Sequence, residues 1–489
     1  MKKTALLMAA FALAVPAWAA AAEPPAVTTG ACASDANADG GDWPSSGGDL
    51  MQSDNQWSER KIGKDNVAGL QLKWAVPTNA QSVPAIAGRC VYVVQDGHLT
   101  AYDITTGAVV FTSPFEFVTS QYQPFGVAVA NDRVHVDWDN QLAPKAAAFD
   151  AGTGALLWQS EPITFGYPAW QLQNATVFDG LQLFHTTGPD FDVKARPGYA
   201  IFDAATGETL HKQTTIPEKD LDKGYAGGGV WGHDAIDPET KYAFTGTANP
   251  YARKLESRYD NAIIKIDLDR TRPTFGQIVD AYKGEADSIE DTAYNQPVCQ
   301  TLGDYGPGYV NPPCAQTDID FGNGPTLWHN SDGTLMLAQI QKSGLLHVLY
   351  ADAMQRAWTL KVGTDSTLTA TGGNHSYLAT DGKTLFVPAN PGTLFGLDTE
   401  TGSVKWATAM PGNATNDQNL VTANGVVYGL DGIGVRAWDA DTGDRLWEYA
   451  TASSGGQISS CTGDAGGMSM ARHTLIVNCG GTIGAFRLP

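Results

Sequence analysis

Ala101-Tyr-Asp103-Ile-Thr-Thr-Gly107-Ala-Val-Val-Phe111 decides the fold of this chain, because the same pattern returns along its length. Ala148-Phe-Asp150-Ala-Gly-Thr-Gly154-Ala-Leu-Leu-Trp158 and Ala437-Trp-Asp439-Ala-Asp-Thr-Gly443-Asp-Arg-Leu-Trp447 are close copies. Gly396 to Trp406 keeps Asp398, Gly402 and the final Trp. Ile201 to His211 keeps Asp203 and Gly207, Val348 to Trp358 reads with Gln355 at the glycine position, and Asp267 marks a degraded copy. Each copy is a hairpin: an apolar strand ends at Asp, whose carboxylate caps the turn, and Gly supplies the positive φ that closes it. The second strand ends on an aromatic large enough to wedge between sheets. Such a unit buries a face only against its neighbours, so the sheets must stack around an axis.

Leu70 to Trp74 reads as a second half of a repeat without a first, and Ile483 to Phe486 as a first half without a second. Joining them closes the ring and removes an exposed edge. Seven internal copies and one split copy predict an all-β, eight-bladed β-propeller, with N- and C-terminal segments sharing the closing blade; the alternative is a six- or seven-bladed ring with a misread copy. The spacing stretches between Asp267 and Asp352, which predicts an insertion over about 284–317. A loop of that length in a compact domain points to function or disorder.

Lys2 and Lys3, the apolar run Ala5 to Val15 and the small residues at Ala17, Ala19 and Ala20 to Ala22 predict a signal peptide over 1–22. The domain then occupies 23–489, in the periplasm or outside the cell, and no stretch is long and apolar enough to span a membrane. Six cysteines in an exported chain predict disulfides, with local pairing suggesting Cys461–Cys479 and Cys299–Cys314 and leaving Cys32–Cys90. No Cys-x-x-Cys-His is present, so no c-type haem is expected on this chain. A formal charge of −21 argues against nucleic acid and anionic membranes as partners.

The segments that break the repeat carry the chemistry. They are Gly227 to Pro238 with Trp231, Phe244 to Tyr251 with Asn249, Asp318-Ile-Asp320-Phe-Gly-Asn-Gly-Pro325, Gln341-Lys342-Ser-Gly344 and Gly372-Gly-Asn374-His375. Together with Asp42-Trp43-Pro44, Gly47-Gly48-Asp49 and Asn66 to Trp74, they resemble the quinoprotein alcohol dehydrogenases, above all their polyvinyl-alcohol-dehydrogenase-like branch. The resemblance covers nearly the whole mature chain. It implies PQQ-type repeats, pyrroloquinoline quinone (PQQ) as cofactor and calcium, or a lanthanide, as its metal.

On that resemblance Trp231 is the indole on which the quinone lies, and it stands outside the repeat register that places the docking aromatics. Asn249 matches a metal ligand, as hard cations take amide and carboxylate oxygens. Asp318 and Asp320 share a side of an extended chain. Either is the general base and the other an added ligand; Asp320, directly before Phe-Gly, is favoured as the base. Lys342 matches the cation at the quinone oxygens, Asn374 an amide contact and Gln81 a further contact. Asp190 and Asp192 are the candidates for the acidic third metal ligand. The adjacent cysteine pair of many larger relatives is absent.

The resemblance implies an exported dehydrogenase for alcohols, secondary or polymeric, that passes electrons to a separate cytochrome c. The alternative is a non-catalytic propeller of the same repeats, serving as a scaffold in envelope protein assembly.

Overall fold

The structure is a computed structural model that describes residues 32, 39–80, 82–118, 126–188, 192, 194–251, 257–284, 320–363, 376–410, 419–431, 433–451, 456–459, 461 and 466–489. Eight four-stranded antiparallel sheets form the propeller. Blades one to seven are continuous in sequence, over 85–112, 127–159, 176–214, 235–283, 326–361, 379–409 and 421–450. Blade eight takes its three inner strands from Gly467–Ala471, Thr474–Asn478 and Thr482–Arg487 and its outer strand from Gln71–Pro77, so the ring closes through the split repeat. The innermost strands of successive blades contact one another around the axis.

The repeat residues do what their chemistry dictates. Asp103 Oδ1 accepts the backbone N–H of Thr105 and Thr106 and the Thr106 hydroxyl, and Gly107 closes the turn at φ 71°. Terminal aromatics dock on the next blade's hairpin where that blade is continuous in sequence, as at Gly107, Gly154, Gly207, Gly402 and Gly443. Trp74, Trp158 and Trp406 donate their indole N–H to the carbonyls of Ile104, Ala204 and Ala440. The turn glycine therefore has two duties, a positive φ and the absence of a Cβ beneath the ring. At Gly443, φ is 75° and a Cβ would stand 2.6 Å from Trp406 Cε3. Gly443→Ala is expected to cost roughly 1–3 kcal/mol, whereas an alanine at the open Gly333 turn carries only the backbone strain. Denaturant unfolding of the two variants checks this.

One register differs from the sequence reading. In blade five Met354, not Gln355, holds the glycine position, at φ 49°. Val348 pairs with Trp358 and Tyr350 with Gln355, so Gln355 already belongs to the outer strand. Counted from Val348 as from Ala101, the glycine position falls six residues on, at Met354, an uncommon residue at positive φ.

Residues 39–64 follow no repeat. They run around the channel, and among the described residues their backbone pairs with the inner strands of blades one, two, four, five, six and seven. Carbonyls of Trp43, Pro44, Leu50, Met51, Ser53 and Asp54 accept the N–H groups of Ile86, Val129, Ile236, Leu327, Thr380 and Thr422. Gln56 Nε2 reaches the Met470 carbonyl in blade eight. Arg472 N and the Asn424 side chain, both at first-to-second-strand turns, bond Gly40 and Ile62. The segment therefore lies against the inner strands on the hairpin face.

Cys32 pairs with Cys90 and Cys461 with Cys479, as the sequence reading expects. Cys299, Cys314 and nearly all of the 284–317 insertion lie outside the described residues. Among the described residues, no helix is long and apolar enough to cross a membrane.

Candidate active site

Strands alternate direction, so the connections fall into two sets. Hairpins joining first to second and third to fourth strands lie on the face that residues 39–64 line. Crossovers between blades and loops joining second to third strands lie on the opposite face. Trp231 is on the crossover into blade four and Asp320 on the crossover into blade five. Asn249 and Lys342 are on the second-to-third loops of blades four and five, and Asp192 on that of blade three. All five therefore belong to the face opposite the hairpins.

Backbone pairing draws four of these connections together. Gly228 N donates to Asn249 O (3.3 Å), Ala248 N to Gly229 O (2.7 Å) and Tyr251 N to Ala226 O (2.8 Å). A Cβ on Gly227 would meet Asn249 O at 2.2 Å, so this glycine is what allows the two chains to approach. Phe321 N donates to Thr247 O (3.3 Å) and Lys342 N to Asp320 O (3.0 Å). The run Trp231-Gly232 then lies against Asn323-Gly324, where a Cβ on Gly232 would meet the Asn323 carbonyl carbon at 2.5 Å.

The side chains converge on Asp320, which is 2% exposed. Lys342 Nζ is 2.9 Å from its Oδ1, and the Trp231 indole N–H donates to its Oδ2 (3.2 Å). Lys342 Nζ also stands over the Trp231 ring, 4.7 Å from the centroid. The indole is half-buried and Asn249 is buried. A buried carboxylate, a cation beside it and a partly open indole form a group able to accept a proton, stabilise negative charge and support a planar ligand.

Asp192 lies at the margin. Its carboxylate takes the Tyr167 hydroxyl and the Lys194 N–H (2.9 Å), and Tyr167 packs on the cluster of Ala195, Ala226 and Tyr251. Gln81, Asp190, Asp318 and Asn374 are outside the described residues. Among the described residues, no group of three or more His, Cys, Asp or Glu side chains gathers to hold a metal. Asp320 and Asn249 nevertheless supply hard oxygen donors of the kind calcium takes, and the indole with Lys342 above it suits a planar anionic group.

Sequence reasoning passed over the residues that brace this site. Gln341 Oε1 and Tyr282 OH bond the two ring nitrogens of His347 (3.0 and 3.1 Å), and Phe321 packs edge-on against the same ring. Burial holds His347 neutral, pushing its pKa down to about 4. His185 Nε2 and Asp234 Oδ1 form a fully buried pair at 2.9 Å, and Gln52 of the 39–64 segment donates to the Asp234 carbonyl. His233, Asp234 and Gln341 lie inside the repeat-breaking segments, and that position was the available signal.

The fold and site define an eight-bladed propeller with an acid, a cation and an indole joined on the face opposite its hairpins. The chain belongs to the PQQ_2 family, whose model, described as outer membrane protein assembly factor BamB, matches residues 52–219 and 318–488, more than half of the sequence. It is 23% identical over 474 residues to the polyvinylalcohol dehydrogenase of Sphingopyxis sp. (strain 113P3), covering 82% of this chain and 67% of that protein. The quinohemoprotein alcohol dehydrogenase ADHIIG of Pseudomonas putida HK5 superposes with a TM-score of 0.68 at 15% identity, covering 91% of this chain and 80% of that one. A europium-containing methanol dehydrogenase superposes with a TM-score of 0.67 at 15% identity, covering 92% and 99%. These superpositions establish the shared propeller fold.

Proposed function

We propose that the protein is an exported PQQ-dependent alcohol dehydrogenase, acting on secondary or polymeric alcohols. The observation that carries this is the joining of Trp231, Asp320 and Lys342 on one face. When bound, PQQ supplies the two-electron acceptor and a calcium or lanthanide ion the Lewis acid. Trp231 offers the stacking surface, and Asn249 and Asp320 offer oxygens to the metal, with Asp192, Asp190 and Asp318 the further candidates. Asn374 and Gln81 are the additional quinone contacts.

Asp320 takes the hydroxyl proton of the alcohol, and the neighbouring Lys342 stabilises negative charge as the acceptor is reduced. If Asp318 is the base instead, Asp320 is the added ligand. Electrons leave to a separate cytochrome c. Substrate and electron acceptor approach from the face that carries Trp231, Asp320 and Lys342. The relation to the polyvinylalcohol dehydrogenase supports the alcohol substrate.

The rival reading, a scaffold in envelope protein assembly, draws on the description of the family model. A scaffold has no use for a buried acid joined to a cation over a half-open indole. Reconstitution separates the two. Protein loaded with PQQ and calcium or a light lanthanide should reduce an artificial dye with secondary alcohols or polyvinyl alcohol, and chelation should remove the activity. No turnover under any loading would favour the scaffold.

A further inference from the structure

Two residues beyond Trp231, His233 is fully enclosed, and its ring stacks on Tyr377 with centroids 4.6 Å apart and planes 16° from parallel. Tyr377 comes from the crossover into blade six. On the other side, Gly324 of the crossover into blade five approaches so closely that a Cβ there would meet His233 Cδ2 at 2.1 Å and its carbonyl oxygen at 2.3 Å. That carbonyl also accepts the Thr245 hydroxyl of blade four (3.3 Å). One ring thus touches three crossovers: its own, which carries Trp231; the next, which carries Asp320 four residues before Gly324; and a third, which carries Asn374 three residues before Tyr377.

We infer that the His233–Tyr377 stack is a positioning device, which sets the Trp231 indole against Asp320 for the quinone. The inference rests on the functional reading above and names residues that reading does not use. Neither ring is placed at the reacting atoms. The stack acts by fixing where the crossovers meet, as an offset aromatic pair favours one mutual orientation. Burial pushes the His233 pKa down to about 3, so the ring adds no second cation beside Lys342.

The stack predicts a specific pattern among variants. His233→Ala is expected to weaken PQQ binding about tenfold, near the upper end of what an aromatic pair contributes. His233→Phe, which keeps a planar ring, should stay within about twofold of the parent. Tyr377→Ala should match His233→Ala, and the double variant should lose no more than either alone. Affinity is read by tryptophan quenching in calcium buffer, with KM and kcat at saturating quinone measured alongside.

A second readout needs no quinone. The Trp231 contribution to emission, taken as the difference from Trp231→Phe, should become more accessible to acrylamide in His233→Ala and not in His233→Phe. If the parent binds no quinone, the functional reading falls and this readout alone decides the stack. Unchanged affinity and accessibility in His233→Ala would overturn the inference. So would equal losses in His233→Ala and His233→Phe, which would show that the ring contact is not the cause. If His233→Ala does not fold, Tyr377→Ala and His233→Phe carry the same comparison.

Discussion

Asp320→Asn should lower dye-linked alcohol oxidation by about 10²–10⁴-fold, the usual contribution of a general base, while leaving the propeller folded. The substitution keeps the shape of a side chain that is 2% exposed and keeps one oxygen for the Trp231 N–H. It removes the basic carboxylate and weakens a candidate metal ligand, so calcium and a light lanthanide should both be tried at saturation. Asp318→Asn is the control. If Asp318 is an added ligand, its loss should shift metal preference more than saturated rate. Lost turnover in Asp318→Asn with full turnover in Asp320→Asn would reverse the two roles.

Lys342→Met should damage both stability and rate. The substitution removes an ammonium 2.9 Å from the Oδ1 of an enclosed carboxylate, Asp320, whose Oδ2 takes the Trp231 indole N–H. Breaking a buried pair from one side typically costs about 3–5 kcal/mol; Lys342 is itself 14% exposed, so the lower end, about 3 kcal/mol, is expected. Loss of the cation should also lower turnover by roughly 10²–10³-fold at saturating cofactor, the scale of one electrostatic contact to developing charge. Lys342→Arg should retain stability. The Asp320→Asn, Lys342→Met double variant should recover most of the stability and none of the activity, because no buried charge is then left unpaired. Denaturant melts and turnover on the four proteins check this. A Lys342→Met protein as stable and as fast as the parent would remove Lys342 from the site.

Much of the fold was legible because the repeat states its physics locally. Asp103, Thr106, Gly107 and Phe111 specify one hairpin and one docking contact, and the split copies at Trp74 and Phe486 specify closure. In blade five the degraded copy has Met354 at the positive φ that glycine holds elsewhere, so residue type gives no marker there and only the spacing from Val348 to Trp358 does. The route of residues 39–64 was not legible at all, since a chain that pairs through single backbone carbonyls with successive blades has no periodicity of its own. At the site, Trp231, Asp320 and Lys342 were named through a family resemblance, and the structure brings the three side chains into contact. The bracing residues His233, Tyr377, His347 and Tyr282 were not, because each acts on a partner on another connection or strand, in places far away in sequence. Pairs such as His233 with Tyr377 appear only when crossovers from different blades are brought together.

Titration of metal-loaded apo-protein with PQQ, followed by tryptophan fluorescence and repeated on Trp231→Phe, tests the central claim most directly. Saturable, near one-to-one binding is expected, with most of the quenching lost or the affinity reduced when Trp231 is replaced. Absence of saturable binding with calcium and with a lanthanide would contradict the account and leave a propeller whose acid, cation and indole serve some other purpose.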